Sequence, residues 1–143
     1  MKINLKKNNS TLKINKQALT EIAKDIMLSY QCTNGSISII LLDKENLRKL
    51  NKQFFDKDEY TDVIAFNLED YDYPIEGEIY ICPNQVNENA KIFKVTFDNE
   101  LKRVIIHGCL HLLGYEDNSK KEKEKMRTLE NYYINKFQNS NLI

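Results

Sequence analysis

Strands separated by amphipathic helices predict an α/β or α+β sheet domain with some parallel pairing. Three observations carry that reading. Short apolar runs recur at 36–42, 62–67 and 77–82. Helical periodicity fills much of the chain between and after them. No repeat, linker or low-complexity block divides the 143 residues, so one domain over 1–143 is expected.

Taken in order, Lys2 to Leu5 alternates as a short strand. Asn15 caps a helix to about Tyr30, with Ala18, Leu19, Ile22, Ala23, Ile26 and Met27 on one stripe. Asn34-Gly35 marks a turn, and Ser36 to Leu42 reads as a central strand. Asp43 caps a second helix to about Phe54, with Leu47, Leu50 and Phe54 inward. A charged loop at 56–61 leads to a strand from Asp62 to Asn67. Leu68 to Glu76 reads as an acidic loop and Gly77 to Cys82 as a strand. Pro83 suits the first position of a helix to about Phe93. Thr96 or Asp98 caps the next helix, over about 101–113, which is apolar on most faces and therefore buried. Ser119 caps the last, to about Phe137, with Met126, Leu129, Tyr133 and Phe137 inward. The tail from Gln138 to Ile143 is expected to fray.

Bulk properties exclude several classes. Basic and acidic residues balance at 21 each, which argues against nucleic-acid binding through bulk charge and leaves room for a local basic groove. Cys32, Cys82 and Cys109 are odd in number and lack C-x-x-C spacing, so neither a disulfide framework nor a cysteine metal site is expected, and a reducing cytoplasm is the expected compartment. The polar N-terminus lacks a signal-peptide core, and no apolar run approaches the roughly 20 residues that span a bilayer.

The chain has two histidines, His107 and His111, four residues apart on the buried helix. Positions i and i+4 share a helix face, so both imidazoles can address one point. Such a pair also occurs as hydrogen-bonded core histidines. Burial, Gly114 as a helix stop, and an acid six residues past His111 favour the metal reading. Two imidazoles and a carboxylate make a three-ligand set with a position open for water. The pattern is that of the zincins without their glutamate, since Gly108 follows the first histidine.

His107-Gly-Cys-Leu-His111-Leu-Leu-Gly114-Tyr-Glu-Asp117 resembles the signature H-G-x-L-H-L-x-G-Y-D-H of the YbeY rRNA maturation factors, metal-dependent endoribonucleases of bacteria. Leu50-Asn51, Lys57-Asp58, Thr61 to Phe66 and Gly77 to Ile81 fit in order and spacing, so the resemblance covers roughly 36–137. It implies an α+β fold, a four-stranded mixed sheet flanked by about five helices. It also implies one zinc ion held by His107, His111 and the residue at 117. Its implied role is processing of the 16S rRNA 3′ end and ribosome quality control, with single-stranded RNA and the small ribosomal subunit as partners and no organic cofactor. Two positions depart from the pattern. Asp117 stands where the family usually has histidine, which lowers the site's formal charge by one and tilts preference toward manganese or iron. Phe55 stands where an arginine is common, leaving Lys57 as the nearest phosphate contact on that loop.

The expected chemistry is phosphodiester hydrolysis, with Glu116 or Asp62 as base or water-orienting group. Glu116 reads equally as a solvated turn residue, and Asp62 as a strand terminus. Lys120, Lys121, Lys123, Lys125 and Arg127 can meet RNA phosphates, although a run interleaved with Glu122 and Glu124 is more commonly a solvated face. Tyr60, Tyr71, Tyr73 and Tyr80 can stack on bases or serve as packing residues. Two other classes compete: a ribosome assembly factor whose zinc is structural or weakly active, and a metal-dependent hydrolase of peptides or small molecules.

Overall fold

The computed structural model describes residues 1–70 and 72–143; Tyr71, one of the candidate stacking tyrosines, lies outside the described residues. The elements are β1 (Lys2–Lys7), α1 (Lys16–Ser29), β2 (Gly35–Leu41), α2 (Lys44–Phe55), β3 (Val63–Asn67), β4 (Ile75–Ile81), α3 (Pro83–Phe93), α4 (Phe97–Leu112) and α5 (Lys120–Lys136). The strands form one mixed sheet in the order β1-β2-β4-β3. β2 pairs in parallel with β1 and β4, and β3 closes the edge antiparallel to β4. The α+β fold with four strands and five helices is therefore as the family resemblance implies.

Local chemistry explains the boundaries. The Asn15 side chain accepts from the Ala18 amide and starts α1. Thr96 does the same for α4, through Asn99, and resolves the choice between Thr96 and Asp98. Ser119 and Glu122 form a reciprocal capping box on α5. Asp43 precedes α2 without capping it; its carboxylate takes the Asn46 side-chain amide.

Alternation in the strands splits the core. Ile37, Ile39, Leu41, Ile79 and Ile81 are fully buried with α1 and α4 residues such as Leu19, Ile22, Ile105 and Leu101. A smaller cluster of Leu42, Leu47, Ile64 and Cys82 lies under α2. Each such side chain contributes about 1.5–3 kcal/mol relative to exposure. Two glycines let α4 settle onto β4. A Cβ on Gly108 would stand 2.8 Å from Ile79 Cγ2, and one on Gly77 would stand 2.5 Å from Leu112 Cδ1. That close approach presents the histidine face of α4 at the β3 edge of the sheet.

Three expectations change. β4 begins at Ile75, two residues early, because pairing with Gly35 and Ser36 of β2 draws Ile75 and Glu76 into the sheet. Phe54 does not enter the core. It is 52% exposed and packs on Phe66 at a centroid distance of 5.0 Å, over the outer face of β3.

The tail is docked rather than frayed. Leu142 is fully buried, its carbonyl accepts from Asn15, and its amide and that of Ile143 donate to Asp98 Oδ1 at 2.7 and 3.0 Å. Asp98 Oδ2 lies 2.9 Å from the ammonium of the fully buried Lys102, an ion pair without hydrogen-bond geometry. Burial raises the Asp98 pKa, but Lys102 and the two tail amides outweigh it, and the carboxyl sits below its usual range. A depressed carboxylate stabilises the fold above its unfolded pKa and loses that contribution as pH falls through the folded value. Thermal melts should therefore show wild-type Tm dropping on acidification below the usual carboxylate range. Asp98→Asn should start lower at pH 7, by about 3–5 kcal/mol for a stranded buried lysine, and lose this acid dependence.

Candidate metal centre

α4 carries both histidines, and its C-terminus supplies the rest of the site. Leu113 caps the C-terminus of α4 and Gly114 follows at φ +100°. The Gly114 amide donates to the His111 carbonyl at 3.0 Å and the Tyr115 amide to Leu110 at 3.1 Å, the two bonds of a Schellman stop. This reversal brings the Tyr115 carbonyl within 2.8 Å of His111 Nδ1. It also returns Asp117, whose Oδ2 lies 3.4 Å from His107 Nε2 and 3.6 Å from His111 Nε2. The Tyr115 ring packs edge-on against Tyr30, which pins the turn to α1.

The two imidazoles have their tautomers assigned by what they touch. A carbonyl only accepts, so His111 Nδ1 carries the proton given to Tyr115. His107 Nδ1 lies 2.7 Å from Glu130 Oε2 of α5 and donates to that carboxylate. Glu130 is buried and its other oxygen accepts from Arg103 Nη1 at 2.9 Å. Both Nε2 atoms of the neutral rings therefore face one another as lone pairs, 2.9 Å apart, with the Asp117 carboxylate beside them. Three acceptors that close repel unless a cation lies among them. Tetrahedral ligands about 2.0–2.2 Å from an ion of zinc's size stand roughly 3.3–3.6 Å from one another. The Asp117 separations lie within that range, and the imidazoles need to part by only about 0.4 Å to join them. The donor set fits a divalent metal, and His107, His111 and Asp117 are the cluster able to hold one among the described residues. Burial alone lowers the His107 pKa, but Glu130, with Asp117 and Asp62 nearby, raises it above its ordinary value.

A cleft of about 630 Å³ opens over the three donors. It also contains Asp62, Lys57 and Glu116, so all six candidate residues named from the sequence line one space. Asp62 precedes β3. Its carbonyl accepts from the Cys82 amide, and Asn89 of α3 donates to its Oδ2 at 3.3 Å. Burial pushes its carboxyl pKa up. Glu116 is exposed on the turn between α4 and α5. Lys57 is exposed on the loop after α2, which turns at Asp56 in the left-handed region. Asn51 holds that loop through the Glu59 carbonyl, and Arg48 through Asp58 at 2.7 Å. Phe55 lies at the cleft wall, 46% exposed. Of the candidate stacking residues, Tyr60 lines the cleft, braced by hydrogen bonding to Glu45 and by Arg48 over its ring. Tyr73 and Tyr80 lie outside it.

Glu130 and Arg103 were missed in the sequence. The signal for Glu130 was its register: it lies four residues after Met126 and three before Tyr133, an acid on the inward stripe of α5. Arg103 lies one turn before His107 but belongs to no motif. Partners of this kind fix the orientation of a ligating histidine, and their loss typically costs 10–100-fold in metal affinity. Glu130→Gln keeps the shape and removes the charge. Competition with a chromogenic chelator should show its zinc dissociation constant rising by about 10–100-fold.

Comparison with known proteins places the chain. The family model described as "Endoribonuclease YbeY" matches residues 2–138. The chain belongs to the YbeY endoribonuclease family. A Flavobacterium johnsoniae protein named Endoribonuclease YbeY is 39% identical over 125 residues, spanning 86% of this chain and 88% of the relative. One from Thermotoga petrophila with the same name is 40% identical over 119 residues, spanning 83% and 75%. The solution structure of TM1509 from Thermotoga maritima superposes with a TM-score of 0.65 at 33% identity, covering 96% of this chain and 92% of that one. Family membership makes the chain a metal-dependent endoribonuclease, a hydrolase acting on RNA in rRNA processing. No helix among the described residues is long and apolar enough to cross a membrane.

Proposed function

We propose that this chain is a zinc-dependent, single-strand-specific endoribonuclease that matures the 3′ end of 16S rRNA and acts in ribosome quality control. On this reading one domain over 1–143 works in the cytoplasm with the small ribosomal subunit. The convergence of two Nε2 lone pairs and one carboxylate oxygen on the wall of an open cleft carries the proposal.

His107, His111 and Asp117 are the proposed ligands. A divalent ion there supplies polarisation of a phosphoryl oxygen and a water of lowered pKa. Glu130 and the Tyr115 carbonyl keep both imidazoles aimed. Asp62 is the proposed proton-handling group, supported by its burial, its raised pKa and its anchoring by Asn89. Glu116 lines the same cleft without a hydrogen-bond anchor among the described residues and takes the secondary role of orienting water. Lys57 is the proposed phosphate contact within the cleft.

The assembly-factor alternative, in its structural-zinc form, needs a fourth protein ligand. The described residues supply three, which favours catalysis. The test is elemental analysis of protein purified without added metal, with RNA cleavage measured in parallel. Wild type should carry about one zinc per chain and cut single-stranded RNA internally, and His111→Ala should do neither. Equal metal in both would remove the site. Metal without cleavage in wild type would favour the assembly factor.

A further inference from the structure

The wall formed by Asp62, His107 and Asp117 has two sides. One is the cleft already described. The other is a concavity of about 370 Å³ between α4 and the first turns of α5, which shares those three residues and adds Arg103, Lys123 and Arg127. An RNA cut at an internal bond leaves the reacting phosphate in two directions, so an endonuclease site needs two arms. The two arms differ in charge. The first cleft has Lys57 as its one cation against five carboxylates, on Glu59, Asp62, Glu69, Glu116 and Asp117. The second sets three cations, Arg103, Lys123 and Arg127, beside four carboxylates, on Asp62, Glu100, Asp117 and Glu130, and its exposed rim continues as a surface depression lined by Lys120, Lys123, Glu124, Arg127 and Thr128.

Lys120, Lys123 and Arg127 are spaced i, i+3 and i+7, so they form one stripe along α5. Among the described residues none of the three is in an ion pair. Arg103 is committed to Glu130 and Asn131 and is not free to bind. Other charges in this segment are also engaged. Lys125 stands 5.8 Å over the Tyr115 ring, and Glu122 completes the capping box. Lys121 is likewise outside the ion pairs among the described residues but lines neither depression, so the basic run leaves three free cations that lead away from the metal centre.

We propose that Lys120, Lys123 and Arg127 form a phosphate track that holds the RNA backbone on the α5 side of the reacting bond. The track rests on the endoribonuclease reading and deepens it: one arm supplies the electrostatic affinity while the acidic arm admits the strand with little. A charge-balanced chain can bind RNA in this way, because the cations are concentrated where the strand runs.

The test uses Lys120→Gln/Lys123→Gln/Arg127→Gln and a charge-matched control, Lys2→Gln/Lys6→Gln/Lys7→Gln. The control residues are exposed on β1, at the sheet edge opposite β3. Binding of a fluorescein-labelled oligouridylate is followed by anisotropy across a series of potassium chloride concentrations, with zinc content measured in each protein. The track variant should bind at least about tenfold more weakly at physiological salt, with the slope of log K against log salt reduced by about 2, near 0.7 per lost contact. Its zinc content should equal wild type, and the control should bind as wild type does. A track variant with wild-type affinity and slope, or a control that loses as much, overturns the track and leaves the nuclease reading standing. A wild type that neither binds nor cuts the RNA overturns both.

Discussion

Asp117→Ala should abolish cleavage of single-stranded RNA and release the metal, while Asp117→His should keep both. Asp117 is the only anionic donor of the three, and its Oδ2 bridges the gap in front of both Nε2 atoms. Without it two neutral imidazoles remain, too few to retain a divalent ion through purification. Metal assistance supplies several kcal/mol at a phosphoryl centre, and each 1.4 kcal/mol is tenfold, so kcat/KM should fall by about a thousandfold or more. Histidine restores the third donor in the form the family pattern favours. It also raises the formal charge of the site by one, which acidifies bound water. The acidic limb of the pH–rate profile should therefore move to lower pH in Asp117→His. A profile identical to wild type, or an Asp117→Ala variant that still cuts, would show that this carboxylate is not a ligand.

Gly108→Glu should leave the chain largely unfolded. The substitution looks like a repair, since it recreates the zincin H-E-x-x-H sequence. The geometry forbids it. The Cα–H of Gly108 faces β4, where a Cβ would sit 2.8 Å from Ile79 Cγ2 and 3.0 Å from Ile79 Cδ1. The added carboxylate would point into the core with no partner, away from the cleft. Overpacking costs about 1–3 kcal/mol and an unpaired buried charge several more, together a large share of the roughly 5–15 kcal/mol that holds such a domain. Circular dichroism and a urea melt would register this at once. A folded Gly108→Glu protein would mean that α4 can roll on the sheet, and with it the metal site.

Much of the fold was legible because local and global signals agree. Asn15, Thr96 and Ser119 cap as their side chains demand, and the apolar stripe of α1 is the buried one. The convergence of His107, His111 and Asp117 was legible because they lie within eleven residues and a glycine stop dictates their geometry. What was hidden depends on distance along the chain. Glu130 reaches His107 across 23 residues from a helix that looks solvated. Asn89 reaches Asp62 across 27. Leu142 is a lone apolar residue in a polar tail, and its docking onto Asp98 of α4 and the Asn15 amide before α1 joins segments far apart in the chain. Phe54 followed the helical stripe but found a partner on Phe66 instead of the core.

The two imidazoles are aimed by different kinds of group, and this makes them unequal under mutation. The His107 ring depends on a side chain, so a single codon change at Glu130 can slacken it or retune it. The His111 ring leans on the Tyr115 carbonyl, which every amino acid at that position would still provide. Heritable variation can adjust one half of the site residue by residue, while the other half yields only to a change in the course of the backbone at Gly114.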